Sequence, residues 1–239
     1  MSLSHGSIAF CGAVLFLFAA AGRDPVWPQE SPANVKANLD LPFDAGGDGE
    51  EDEDAPEIVV FYGQQYEGDG FFFCCDKSLS MRGAPLQRLQ REVIKSVEQL
   101  SSGTQFAIVF FDSRVYKFPE TGSPAIVSAP VKNSVVNFVL SVPIGSSSCY
   151  KEGLVTTLNF ATQSTAKRKV VIVLGDGQPW CAGYDRETYA NETLETVRQM
   201  NTSMTKINAI CLGPPRSTDE EWMRTLAIMN HGTYSRIVE

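Results

Sequence analysis

Phe71-Phe72-Phe73-Cys74-Cys75-Asp76-Lys77-Ser78-Leu79-Ser80-Met81 is the stretch that decides how this chain folds. Five apolar residues in a row, ended by a charge, read as a strand buried on both faces, and such strands belong to parallel sheets covered by helices. Downstream, Leu86, Leu89, Val93, Ile94, Val97 and Leu100 recur at helical spacing, with Gly103 as the stop. A strand is expected over 106–111, with 115–118 as its hairpin arm across Asp112-Ser113-Arg114. Helices follow at 131–142 and 150–162, then the strongest strand signal, at 170–174. A helix at 187–200, a strand at 207–212, a helix at 219–229 and a closing strand at 233–238 complete the pattern. Upstream, 58–62 reads as an added edge strand. This alternation places the chain in the α/β class: a doubly wound, mostly parallel central sheet with helices on both faces. Ligands of such sheets bind beyond the carboxyl ends of the strands, here just after Cys75 and just after Leu174.

The segment before residue 57 has none of this texture. Ile8 to Gly22 is apolar and uncharged, and ends in Ala19-Ala20-Ala21. It is short for a membrane span and suits the apolar core of a signal peptide over 1–22. Met1 to Ser7 lacks Lys and Arg, so an uncleaved N-terminal anchor or a cytosolic start is the alternative. Residues 23–56 hold Pro25, Pro28, Pro32 and Pro42, then three glycines within an acidic run, and read as a disordered linker. Asp44, Asp48, Glu50, Glu51, Asp52, Glu53, Asp54 and Glu57 account for the entire net charge of -8. Such a block repels itself and stays solvated. The remaining chain is charge-balanced with no basic face, which argues against nucleic acid as a partner. One folded domain is expected over 57–239, with no transmembrane segment in the mature chain. Past the signal, five cysteines remain, an odd set that does not form the framework of a disulfide-stapled miniprotein.

Three loops at the expected crevice carry the chemistry. Asp76-Lys77-Ser78-Leu79-Ser80 follows the first buried strand, Gly175-Asp176-Gly177 follows the strand at 170–174, and Gly145-Ser146-Ser147-Ser148 precedes the helix near Tyr150. Two carboxylates with several neutral hydroxyls suit a hard divalent cation, which takes oxygen ligands and keeps open positions for water or an outside ligand. With His5 and His231 as the only histidines, no zinc-type set is arranged here. In this order, Asp76-x-Ser78-x-Ser80, Ser148 and Asp176 resemble the metal-ion-dependent adhesion site of von Willebrand factor type A domains, whose pattern is Asp-x-Ser-x-Ser, a Thr and an Asp. Gly213 and Gly232-Thr233-Tyr234 resemble the closing elements of that family, and the resemblance spans 57–239. Ser148 stands in place of the usual Thr and keeps a hydroxyl; Gly175 stands where the family often has Thr. The resemblance implies a non-catalytic protein, and the apolar N-terminal run an exported one, secreted or periplasmic/extracellular. It would bind a protein ligand through Mg²⁺ (or Mn²⁺ or Ca²⁺) held by Asp76, Ser78, Ser80, Ser148 and Asp176, with a partner carboxylate completing the shell.

Two other readings compete. A subunit of an intracellular, ATPase-linked assembly uses the same domain type and would be found uncleaved in the cytoplasm. A phosphotransferase of the haloacid dehalogenase type also places an Asp after its first strand, but it needs a second carboxyl two residues on, where this chain has Ser78. Trp180 and Tyr184 read either as loop packing or as anchors for a partner. Cys149 and Cys181 each lie near a site loop; they read either as two thiols or as a bridge tying those loops together. The sequons at Asn191 and Asn201 fall on or beside an expected helix and receive no assignment.

Overall fold

A computed structural model describes residues 55–177, 179–213 and 217–238, with 217–219 as backbone. The expected signal peptide at 1–22 and the linker up to residue 54 lie outside the described residues.

The elements run in the anticipated order. They are β1 (Glu57–Phe61), β2 (Gln64–Gly68), β3 (Gly70–Asp76), a single 3₁₀ turn (Leu79–Met81) and α1 (Ala84–Gln99). Next come β4 (Gln105–Phe111), β5 (Val115–Phe118), β6 (Ala125–Ile126), α2 (Ala129–Ser141) and α3 (Tyr150–Gln163). The last are β7 (Lys169–Gly175), α4 (Arg186–Met200), β8 (Lys206–Leu212), α5 (Ser217–Met229) and β9 (Tyr234–Ile237). The main sheet has the order β5-β4-β3-β7-β8-β9. Its β4-β3-β7-β8-β9 portion is parallel, while β5 and the two-residue β6 pair antiparallel with β4.

Alternation along the strands divides the core. Phe71, Phe73 and Cys75 of β3 join Leu86, Leu89, Val93 and Val97 of α1 and Val135 and Val139 of α2 on one face. Phe72 and Cys74 join Tyr150, Leu154 and Leu158 of α3 and Trp222, Met223 and Leu226 of α5 on the other. Asp76 continues the even-numbered series, so its side chain belongs to the α3 face. Gly153 lets α3 settle on β4: a methyl there would stand 2.5 Å from the Phe111 ring.

One expectation is corrected. The strand near 58–62 is not an edge of the main sheet; it pairs antiparallel with β2 in a separate two-stranded hairpin. Tyr62 and Gly63 both take positive φ at its turn, as a two-residue hairpin loop of this hand requires. Its Val59 and Phe61 are fully buried in the α1-side core. Glu57, counted with the solvated acidic run, is part of the fold: its carboxylate accepts from the Ser101 amide and the Thr104 hydroxyl.

Candidate metal centre

The chain leaves β3 toward α1 and β4 on one side, and leaves β7 toward α4 and β8 on the other. The carboxyl ends of β3 and β7 are therefore the switch point at which a doubly wound sheet opens a crevice. Their last registered pair is Cys75 with Leu174, and Asp76 and Gly175 stand one step beyond it.

Asp76 is fully buried there. Its Oδ1 accepts from the Ser78 amide at 2.7 Å, and the Ser78 hydroxyl lies 3.0 Å from that of Ser80, which is exposed. Its Oδ2 has no hydrogen-bond partner among the described residues. Burial, and then the negative charge of Asp176, push the Asp76 carboxyl up to about 7, against the opposing pull of Ser78 and of the Ser148 hydroxyl. Ser148 thus lies near enough to favour the charged form without reaching hydrogen-bond geometry. A buried, unsatisfied carboxylate oxygen facing a second carboxylate is costly unless a cation or proton joins them. With three hydroxyls beside it, this all-oxygen set fits a hard divalent cation.

The structure brings Asp76, Ser78, Ser80, Ser148 and Asp176 to one edge, around Asp76. Trp180 and Tyr184 lie on the same loop as Asp176, 47% and 55% exposed, and the Tyr184 ring packs on that of Tyr189 at 5.3 Å between centroids. Ser148 and Trp180 form an antiparallel bridge, and Cys149 and Cys181 form a disulfide with Cα atoms 4.7 Å apart. The other described cysteines, Cys74, Cys75 and Cys211, are buried thiols. Burial pushes Cys74 up to about 12, so it behaves as a small apolar residue.

Three features of the edge escape sequence reasoning. Lys77, between two site residues, is buried and pairs with Asp112 at 3.0 Å, its ammonium lying 4.4 Å from the Tyr116 ring centre. Burial works to raise the Asp112 carboxyl, but the Arg114 amide and Lys77 together hold it below its ordinary value. Gly145 admits this pair, since a methyl there would stand 2.0 Å from Asp112 Oδ2. Leu79, between the two serines, is 50% exposed and offers an apolar rim. Tyr150, at the start of α3, is fully buried with an unpartnered hydroxyl. Its phenol is pushed well above its ordinary value by burial and then by Asp76 and Asp176. A buried ion pair in a hairpin turn leaves no periodic trace in sequence. Tyr150 reads there only as a large residue opening a helix.

Among the described residues, no helix is long and apolar enough to cross a membrane. Residues 71–239 match the family model of the von Willebrand factor type A domain. No curated protein matches the chain. Among solved structures, it is similar to a von Willebrand factor type A protein from Catenulispora acidiphila: 14% identity, TM-score 0.60, covering 77% of this chain and 46% of that one. The PilB minor pilin from Streptococcus sanguinis is similar at 11% identity and TM-score 0.55, covering 76% and 57%. So is the vWF domain of the type V pili tip protein Mfa5 from Porphyromonas gingivalis, at 12% identity and TM-score 0.54, covering 75% and 90%. The chain thus spans about half the length of the first two, and these likenesses concern the fold.

Proposed function

The chain belongs to the von Willebrand factor type A domain family, and from that premise we propose that it binds a protein partner outside the cell through a divalent cation. The observation that carries this reading is the Asp76 carboxylate, buried at the switch point with Oδ2 unpartnered among the described residues and within the field of the Asp176 negative charge. Asp76, Ser78, Ser80, Ser148 and Asp176 would hold the ion, Mg²⁺ foremost, with Mn²⁺ or Ca²⁺ as its substitutes. When bound, the ion supplies a Lewis-acidic position for a carboxylate oxygen of the partner. The hydroxyls add no charge, so the two carboxylates only balance the divalent ion, whereas further carboxylates would make the site negative and repel that oxygen. A cleft of about 480 Å³ beside the edge is lined by Lys77, Leu79, Arg82 and Arg114 among others, which suits an acidic segment with an apolar neighbour. Trp180 and Tyr184 provide aromatic contact area on the Asp176 side. No nucleophile–base pair accompanies these groups in the reading, so it is one of binding and not of catalysis.

Export rests on the apolar run before Gly22 and is supported by the Cys149–Cys181 bridge, since disulfides persist in oxidising compartments. In this reading residues 1–22 are a cleaved leader, 23–56 a spacer and 57–239 the binding domain. Two measurements test it. Calorimetric titration with Mg²⁺ and Mn²⁺ is expected to give one-site binding that Asp76→Ala abolishes, and silence in the wild type overturns the cation reading. A pull-down from the secreted fraction is expected to retain its partner in Mg²⁺ and release it in chelator; retention indifferent to chelator overturns the cation-bridged partner.

A further inference from the structure

Tyr150 has a ring that the core explains and a hydroxyl that it does not. The ring packs on Phe111 and Trp222 at centroid distances of 4.7 and 5.1 Å, contacts a phenylalanine would make equally well. The hydroxyl is fully buried with no partner among the described residues. A buried hydroxyl left unpaired is costly, so a structure that keeps one has a use for it.

Its position indicates that use. A methyl group built on Gly175 would stand 1.6 Å from the Tyr150 oxygen and 3.2 Å from Cβ of Asp76. Gly175 therefore clears the point that the hydroxyl occupies, at the strand end next to Asp76. Asp76 Oδ2 is the second buried oxygen without a partner at this edge. The Tyr150 oxygen and the Asp76 side chain thus stand beside the same glycine, and the two orphaned oxygens do not bond each other. A phenol can donate to a carboxylate oxygen or accept from a bound water, and it adds no charge.

We propose that Tyr150 is a positioning residue of the cation site, its hydroxyl hydrogen-bonding the outer shell of the ion, with Gly175 as the vacancy that admits it. This rests on the cation reading of the Asp76 edge. Outer-shell partners of this kind change metal affinity about 10- to 100-fold when removed.

The test is calorimetric titration of Mn²⁺ into the full chain as wild type, Tyr150→Phe and Asp176→Ala, with metal-free thermal melts of each. Tyr150→Phe is expected to melt, metal-free, at or above the wild-type temperature, because an unpaired hydroxyl is removed, and to bind Mn²⁺ about tenfold more weakly. Asp176→Ala is expected not to bind. If Tyr150→Phe binds as the wild type does, whatever its melting temperature, the inference falls and the cation site stands. If the wild type does not bind, both fall. Should Tyr150→Phe fail to fold, Tyr150→Met, which fills the site with a flexible apolar side chain and no hydroxyl, is expected to show the same loss; unchanged affinity there also overturns the inference.

Discussion

Ser148 and Trp180 exchange two backbone hydrogen bonds, 2.8 and 3.1 Å long, and the residues that follow them, Cys149 and Cys181, are joined by a disulfide. The loop between α2 and α3 and the loop that follows β7 are thereby locked in register within a few residues of Ser148 and Asp176. The bridge spans a sequence separation of 32, for which loop entropy gives about 4 kcal/mol of stabilisation. Cys149→Ser/Cys181→Ser is expected to lower unfolding free energy by about that amount and, because the Ser148–Trp180 bridge alone must then hold the loops, to weaken Mn²⁺ binding several-fold. Guanidinium unfolding and calorimetry check both. A double variant with wild-type stability would show that the bridge constrains nothing.

Asp76 gives metal-free stability an unusual pH dependence. Its carboxyl is raised from 3.8 to about 7 in the folded chain, so the folded state holds the proton more tightly than the unfolded one. Its contribution is fully present below about pH 4 and is lost as pH rises through 7. Carboxylates held low, such as Asp69 and Asp112, act in the opposite sense, so the informative quantity is a difference between variants. Asp76→Asn is expected to match the wild type near pH 4 and to exceed it by up to about 4 kcal/mol at pH 8 in chelator, while no longer binding divalent ions. Urea unfolding at the two pH values checks it; a pH-independent difference would show that Asp76 ionises normally.

How much of this was legible in sequence follows from burial. The strands β3, β4 and β7 are buried on both faces, so each contains a continuous apolar run that can be read without a partner, and β8 keeps that texture except at the buried Asn208. β2, Gln64-Gln65-Tyr66-Glu67-Gly68, buries only Tyr66 and Gly68, and its polar composition hides the hairpin that β1 needs. Of the five proposed ligands, Asp76, Ser78, Ser80 and Asp176 are legible because loops at strand ends fix their order and chemistry, and Ser148 because it stands just before the start of a helix. Tyr150 and the Lys77–Asp112 pair are not, because each acquires meaning from a residue far along the chain: Gly175 for the first, and a hairpin turn for the second.

Lys77 and Asp112 form a buried ion pair, with side chains 1% and 9% exposed. Removing one partner of such a pair strands the other, at about 3–5 kcal/mol, whereas removing both charges is often nearly neutral. Lys77→Met alone is expected to destabilise by about 3 kcal/mol. Lys77→Met/Asp112→Asn is expected to recover most of that loss, because the asparagine oxygen can still accept from the Arg114 amide, which the aspartate now does at 2.8 Å. Thermal melts of the two variants decide; a double variant no better than the single would place the cost in lost packing on Tyr116.

The family match begins at residue 71, yet the physical domain begins earlier. β1 and β2 lie outside the main sheet, but Val59 and Phe61 are fully buried and Tyr66 nearly so, all within the α1-side core. Glu57 ties the start of the hairpin to Ser101 and Thr104, and the Gln99 amide reaches the Val60 carbonyl. Each fully buried large apolar side chain contributes about 1.5–3 kcal/mol, so removing three forfeits about 5 kcal/mol or more and uncovers Phe73, which packs on Phe61 at 5.4 Å. Residues 57–239 are therefore expected to melt at the temperature of the mature chain, since the acidic run before them has few apolar residues to contribute. Residues 70–239 are expected to melt far lower or to aggregate. Melting curves of the two fragments test the boundary, and equal stability would show that the hairpin is an ornament on a core complete without it.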